Sequence, residues 1–148
     1  MKYASLDTMI KIVATAFEGK HDEGGVPYIM HCLAVMDGVK HLGYKAMMIA
    51  VGHDLIEDTS VNADMLRSLR FHPDVVAGIV EMTHKKGEKY EAYIVRIAYS
   101  ELKQYTIPIK QADLMHNSQL YRLKGVTDKD LERAKKYARA YTYLKEIK

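Results

Sequence analysis

Apolar residues recur every three or four positions along nearly all of this 148-residue chain, and no stretch sustains the alternation that a half-buried strand requires. That period puts them on one face of successive α-helices. The expected fold is therefore all-α, a compact helical bundle of about seven helices in a single domain over residues 1–148. Breaks fall at 19–27, at Gly43, at 58–62, at His72-Pro73, at 84–87 and at 124–127. Between them the sequence predicts helices over about Leu6–Phe17, Pro27–Gly43 and Lys45–Asp58, then Ala63–Phe71, Pro73–Met82, Lys89–Tyr99 and Thr106–Leu123. Ser5 can cap the first, and Pro27 suits a first turn, where its missing N–H has no helical partner. Thr127-Asp128-Lys129-Asp130 reads as the capping box that opens a last helix.

One segment contradicts its own pattern. The run Met47-Met48-Ile49-Ala50-Val51-Gly52-His53-Asp54-Leu55-Ile56 is too apolar for a surface helix, yet His53, Asp54, Glu57 and Asp58 crowd the second half of the 45–58 segment. On a continuous helix His53 and Glu57 stand one above the other, as do Asp54 and Asp58, so four polar groups converge. Burying a carboxylate among apolar side chains is costly unless it is paired or coordinates a metal, and metal coordination offsets the cost most directly. A His-Asp dipeptide arises by chance in many proteins, so the weight rests on what accompanies it.

Charge narrows the partner. Lys and Arg number 22 against 19 Asp and Glu, a formal +3, far less lopsided than a dedicated nucleic-acid binder usually is. A small anionic ligand fits better, with no nucleic acid. The basic residues from Arg133 to Arg139 read as a solvated helix face. Cys32 is the single cysteine, which excludes an internal disulfide framework and a Cys-based zinc site and suits the cytoplasm. No apolar stretch is long enough for a signal core or a membrane span, so a soluble chain with no membrane partner is expected. Protein partners are not legible.

The wider pattern is carried by Gly25-Val26-Pro27-Tyr28-Ile29-Met30-His31, by His53-Asp54-Leu55-Ile56-Glu57-Asp58-Thr59 and by Lys110-Gln111-Ala112-Asp113-Leu114-Met115-His116-Asn117. At these residues the chain resembles the HD-domain superfamily of metal-dependent phosphohydrolases, and within it the small alarmone hydrolases and the hydrolase domain of Rel/Spo enzymes, over about Ala16 to Leu123. The resemblance implies that His31, His53, Asp54 and Asp113 hold one divalent metal ion. Two imidazoles and two carboxylates suit Mn²⁺. It further implies that Glu57 and Asp58 are the catalytic pair, positioning a water whose pKa the cation lowers and accepting its proton. His72 and His84 lie where two-metal relatives supply further ligands; here one precedes a proline at a helix boundary and the other heads a basic loop, so a single metal is expected. His116 reads equally as support for a ligand or as a packed core residue.

Substrate contacts follow from the same resemblance. Asn117 matches a ribose or base contact, and Lys110 is a phosphate candidate. Lys85, Lys86 and Arg96 are candidates for terminal phosphates, and Tyr28, Tyr90 and Tyr93 for the base, with a surface-helix reading equally open for the residues of the 83–96 segment. Asp22 stands where these hydrolases carry an Arg ahead of the GxPY turn, and Leu114 where an Arg follows the last metal Asp. The expected activity is metal-dependent hydrolysis of the 3′-pyrophosphate of a (p)ppGpp- or (p)ppApp-type alarmone, a small-molecule nucleotide, as in a guanosine-3′,5′-bis(diphosphate) 3′-diphosphatase, with no synthetase or regulatory domain. Such an enzyme would also neutralise an alarmone-making toxin by destroying its product. The alternatives are an HD nucleotidase or phosphodiesterase acting on another nucleotide, and a regulatory module that binds metal or nucleotide without turnover. The Glu57-Asp58 pair argues against the last, because a site that only binds needs no water-activating carboxylate.

Overall fold

A computed structural model describes residues 2–119 and 125–147. Among the described residues the chain forms α1 (Leu6–Ala16), α2 (Ile29–Gly38), α3 (Tyr44–Val51), α4 (Leu55–Asp58), α5 (Ala63–Ser68), α6 (Pro73–Met82), α7 (Tyr90–Ala98), α8 (Lys103–Asn117) and α9 (Asp128–Lys145), with a 3₁₀ turn at Lys40–Leu42. The all-α expectation holds, with more and shorter helices than the seven foreseen. The departure from helix is a lone bridge between His21 and Pro27, which closes the 21–27 loop. No described helix is long and apolar enough to cross a membrane.

Boundaries shift where local geometry overrides the pattern. α2 stops at Gly38 instead of running to Gly43, because the chain tightens into the 3₁₀ turn and Gly43 takes φ 96°, a conformation in which a Cβ is strained. The expected end of the 106–123 helix, at Leu123, lies outside the described residues. Capping follows the sequence closely. Ser5 Oγ accepts from Thr8 N–H, His72 Nδ1 accepts from Asp74 N–H at 3.0 Å, and Thr127 and Asp130 cap each other at 2.9 and 3.2 Å.

The larger correction falls on the 45–58 segment, which is not one helix. α3 ends at Val51; Gly52, His53 and Asp54 form a tight turn, in which Leu55 N–H donates to Gly52 O at 3.1 Å and Asp54 sits at φ −99°, ψ 0°; α4 then begins. α3 is wedged between α1 and α6, with Ala46, Ile49, Ala50 and Val51 fully buried. A Cβ on Gly52 would meet Ile79 Cδ1 at 3.0 Å and Met9 Sδ at 3.2 Å, and one on Gly78 of α6 would meet Ile49 Cδ1 at 2.5 Å. A side chain at either place would have to displace its neighbours, most of all at Gly78 against Ile49. Around this contact the core gathers Met9, Val13 and Phe17 of α1, Cys32 and Val35 of α2, Ile79 of α6, Ile97 of α7 and Leu114 of α8. α9 adds Ala140 and Leu144 and packs along α8. The arrangement brings the start of α2, the turn after α3 and the middle of α8 to one point.

Candidate active site

His31 comes from α2, His53 and Asp54 from the Gly52–Asp54 turn, and Asp113 from α8. Asp113 Oδ1 lies 3.0 Å from His31 Nε2 and 3.3 Å from His53 Nε2, and Asp54 Oδ2 lies 3.0 Å from His53 Nε2 and 3.8 Å from His31 Nε2. Yet both Nε2 atoms are buried without a hydrogen bond. The carboxylate oxygens are close but not in line with an N–H, as donor atoms are when they share a centre. The opposite ring nitrogens are fixed. His53 Nδ1 donates to Ala50 O at 2.6 Å, which turns Nε2 towards the two carboxylates. His31 Nδ1 lies 2.7 Å from His116 Nδ1, so His116 supports the ring of His31.

The electrostatics of this cluster call for positive charge. Burial works against a charged His53, but Asp54 and Asp113 raise its pKa well above the usual value. Burial likewise disfavours ionised Asp113, which Lys110 and His53 nevertheless hold well below the ordinary carboxylate range. Two imidazole nitrogens and two carboxylates around one buried point suit a divalent cation, and His31, His53, Asp54 and Asp113 are the residues that would hold it. The donor atoms of His31, His53 and Asp54 all fall within 4.8 Å of one another.

Three residues expected at the substrate line the cavity and also hold these carboxylates. Tyr28 Oη donates to Asp54 Oδ2 at 2.5 Å, Lys110 Nζ donates to Asp113 Oδ2 at 2.8 Å, and Asn117 Nδ2 donates to Asp113 Oδ1 at 3.0 Å. Burial and the neighbouring Asp54 raise the pKa of Tyr28, so it stays a donor. Burial opposes the charge of Lys110, which Asp113 more than restores. Phe17 packs on the Tyr28 ring at 4.9 Å between centroids, and the Lys20 ammonium sits 4.7 Å from the ring centre.

Glu57 and Asp58 open onto a cavity of about 310 Å³ that also reaches Asp54, Lys110 and Asp113. Burial raises the pKa of both carboxyls, and the Asp54 charge adds to it. Glu57 Oε1 accepts from His84 N–H at 2.8 Å, and Asp58 lies 3.8 Å from Lys20 Nζ. The turn that supplies His84 is braced by Arg96, whose Nε and Nη2 each reach Glu88 at 2.9 Å, while Nη1 donates to Glu81 O at 2.7 Å and Nη2 to Thr83 O at 2.8 Å. With its donors so engaged, Arg96 is a brace and not the phosphate ligand expected of it. Tyr93 is committed too: its hydroxyl donates to Met82 O at 2.6 Å, its ring stacks on His84 at 4.7 Å and 13°, and Lys110 Nζ lies 4.8 Å from the ring centre. It has no face left for a base. Lys85 and Lys86 are exposed on the turn and do not line the cavity.

Other residues line the cavity that the sequence did not point to. They are Lys136 and Tyr137 of α9, from the stretch read as a solvated face; His84, which the sequence placed in a basic loop, lines it as well. Tyr28, Asn117 and Tyr137 also border a second cavity of about 280 Å³, lined by Lys20, Asp22 and Arg133. There Asp22 Oδ1 accepts from the N–H groups of Gly24 and Val26, both at 2.9 Å. No local signal marks the α9 residues, because only the docking of α9 on α8 brings them to the site.

No family model matches the chain. Over 58 residues it is 40% identical to the guanosine-3′,5′-bis(diphosphate) 3′-pyrophosphohydrolase of Haemophilus influenzae, a match covering 38% of this chain and 9% of that protein. Over 107 residues it is 28% identical to a probable guanosine-3′,5′-bis(diphosphate) 3′-pyrophosphohydrolase of Synechocystis sp., covering 64% of this chain and 14% of that one. The chain thus spans a small part of the length of the curated relatives it matches. Its fold superposes on that of a metazoan ortholog of SpoT, described as hydrolysing ppGpp and playing a role in starvation responses, with a TM-score of 0.80, 21% identity and coverage of 99% of this chain and 90% of that one. The helical architecture is a shared one.

Proposed function

We propose that this chain hydrolyses the 3′-pyrophosphate of guanine and adenine alarmones, releasing pyrophosphate and a nucleotide, with one divalent cation, Mn²⁺ by its donor set, held by His31, His53, Asp54 and Asp113. The observation that carries the reading is the pair of buried, unbonded Nε2 atoms facing two carboxylates, beside a second carboxylate pair that opens onto a cavity. When bound, such a cation lowers the pKa of water and offsets charge on phosphoryl oxygens.

The rest belongs to the chain's own residues. Glu57 Oε1 is occupied by the His84 amide, so Oε2 is the atom that takes the proton from the attacking water, helped by a pKa that burial raises. Asp58 lines the same cavity and orients that water. The water oxygen bonds to the phosphorus on the ribose 3′-oxygen, the P–O3′ bond breaks, and the 3′-oxygen leaves, taking up the proton that Glu57 received, to end as a hydroxyl. The names of the relatives and the shared fold favour this substrate over other nucleotides. The same activity would serve in the cytoplasm to neutralise an alarmone-making toxin.

Base selection is expected to be loose. The carboxylate of Asp22 is tied to its own loop, and the guanidinium that shares its cavity, that of Arg133, is paired with Glu23 at 3.0 Å and Asp130 at 2.7 Å, so position 22 supplies no cation to stack on a purine. Values of kcat/KM for ppGpp and ppApp should therefore agree within about a hundredfold. The deciding experiment incubates the Mn²⁺-loaded protein with ppGpp, ppApp, ordinary nucleotides and cyclic nucleotides. Release of pyrophosphate from the alarmones alone supports the reading; phosphate from ordinary nucleotides, or opening of cyclic ones, overturns it.

A further inference from the structure

The wall of the cavity built by α7 and α9 carries two groups that the site described so far leaves unused. Tyr90, at the start of α7, has a buried hydroxyl with no hydrogen-bond partner among the described residues. Such a group costs stability unless something pairs with it, and it tends to have a functional reason. Lys136 of α9 lies with its ammonium 4.4 Å from the centre of the Tyr90 ring and 5.6 Å from that of Tyr137, and makes no ion pair among the described residues. Both side chains line the cavity that holds Glu57 and Asp58.

An anion entering this cavity meets Asp54, Glu57, Asp58 and Asp113, so it needs positive charge beyond the metal. Lys110 is already engaged by Asp113 at 2.8 Å, whereas Lys136 is held only by aromatic faces, which orient an ammonium without neutralising it. We propose that Tyr90 and Lys136 form an oxyanion subsite that receives the distal phosphoryl group of a pyrophosphate whose proximal phosphorus lies at Glu57 and Asp58. The assignment rests on the hydrolase reading above. Its geometry is economical: the distal phosphoryl is one bridging oxygen from the phosphorus under attack and must lie in the same cavity. The nucleoside has separate room past Tyr28, Asn117 and Tyr137 in the neighbouring cavity. Tyr90 Oη donates to a phosphoryl oxygen, since burial pushes its pKa up to about 12 and keeps the proton in place, and the Lys136 ammonium pairs with the charge.

The test uses the Mn²⁺-loaded full chain, with inorganic pyrophosphate and GDP as separate calorimetric probes and ppGpp as substrate. Tyr90→Phe and Lys136→Met should each raise the Kd for pyrophosphate by about tenfold or more, the usual worth of a charge-assisted hydrogen bond, while the Kd for GDP stays within about twofold. Lys136→Arg should restore most of the pyrophosphate affinity, and kcat/KM for ppGpp should fall in parallel with pyrophosphate binding. Unchanged pyrophosphate affinity in both variants overturns the proposal. So does weaker GDP binding with pyrophosphate unaffected, which would assign the two residues to the 5′-phosphates. If the unaltered protein cleaves no alarmone, the hydrolase reading fails by itself, and the pyrophosphate titrations still decide the subsite.

Discussion

At the residue scale, acidic side chains close together in sequence do different work. Asp54 faces the buried imidazoles, and Glu57 faces the cavity and an amide. Asp54→Ala should abolish metal binding and activity together. Glu57→Gln should keep the metal and lower kcat by roughly 10²–10⁴, the range for loss of an acid–base group; loss of metal in this variant, read by elemental analysis, would make Glu57 a ligand. Tyr28 offers a second separation. A residue that stacks on the base affects KM, but one that holds Asp54 affects the metal, so Tyr28→Phe should weaken Mn²⁺ affinity by about 10–100-fold and leave KM near its original value once metal is saturating. The sequence marked all of these positions. It did not distinguish residues that touch substrate from residues that hold ligands, because Tyr, Lys and Asn serve both purposes with the same atoms.

At the element scale, the turn between α6 and α7 is a braced structure that presents the His84 amide to Glu57. Its keystone is Glu88, whose pKa the hydrogen bonds from Arg96 lower from 4.5 to about 2. A carboxylate with a depressed folded pKa stabilises the fold above its unfolded pKa, and that contribution fades as pH falls through the folded value. The difference in Tm between the unaltered protein and Glu88→Gln should therefore be constant near neutral pH and shrink as pH drops from 4.5 towards about 2. A difference that grows on acidification would contradict the brace. The sequence supplied the basic loop and the following helix, and the caps of α1 and α9 were legible because both partners of a cap lie within one turn. That Arg96 closes back on Glu88, Glu81 and Thr83 was not, since the same arginine on an open surface would have had its donors free for phosphate.

For the whole molecule, the proposed ligand set draws α2, the Gly52–Asp54 turn and α8 to one point, where the Asp54 and Asp113 carboxylates crowd two imidazoles and are offset in part by Lys110. Adding Mn²⁺ should raise Tm in a concentration-dependent way and chelation should lower it, because a ligand that binds only the folded state stabilises it by mass action. In His53→Ala the shift should vanish; a shift that persists would place the metal elsewhere. The sequence by itself determined the helical class and marked His53 and Asp54, while His31 and Asp113 were implied by the resemblance of their motifs. Periodicity and the cost of burying carboxylates act locally, through side-chain types at fixed spacing. Only the tertiary structure decided that the 45–58 segment breaks after Val51, where Met9 and Ile79, from helices distant in sequence, pack against Gly52. It likewise decided that Tyr28, Lys110 and Asn117 turn towards the carboxylates and that α9 brings Lys136 and Tyr137 to the cavity. Such choices depend on which surfaces meet, and no spacing along the chain encodes that.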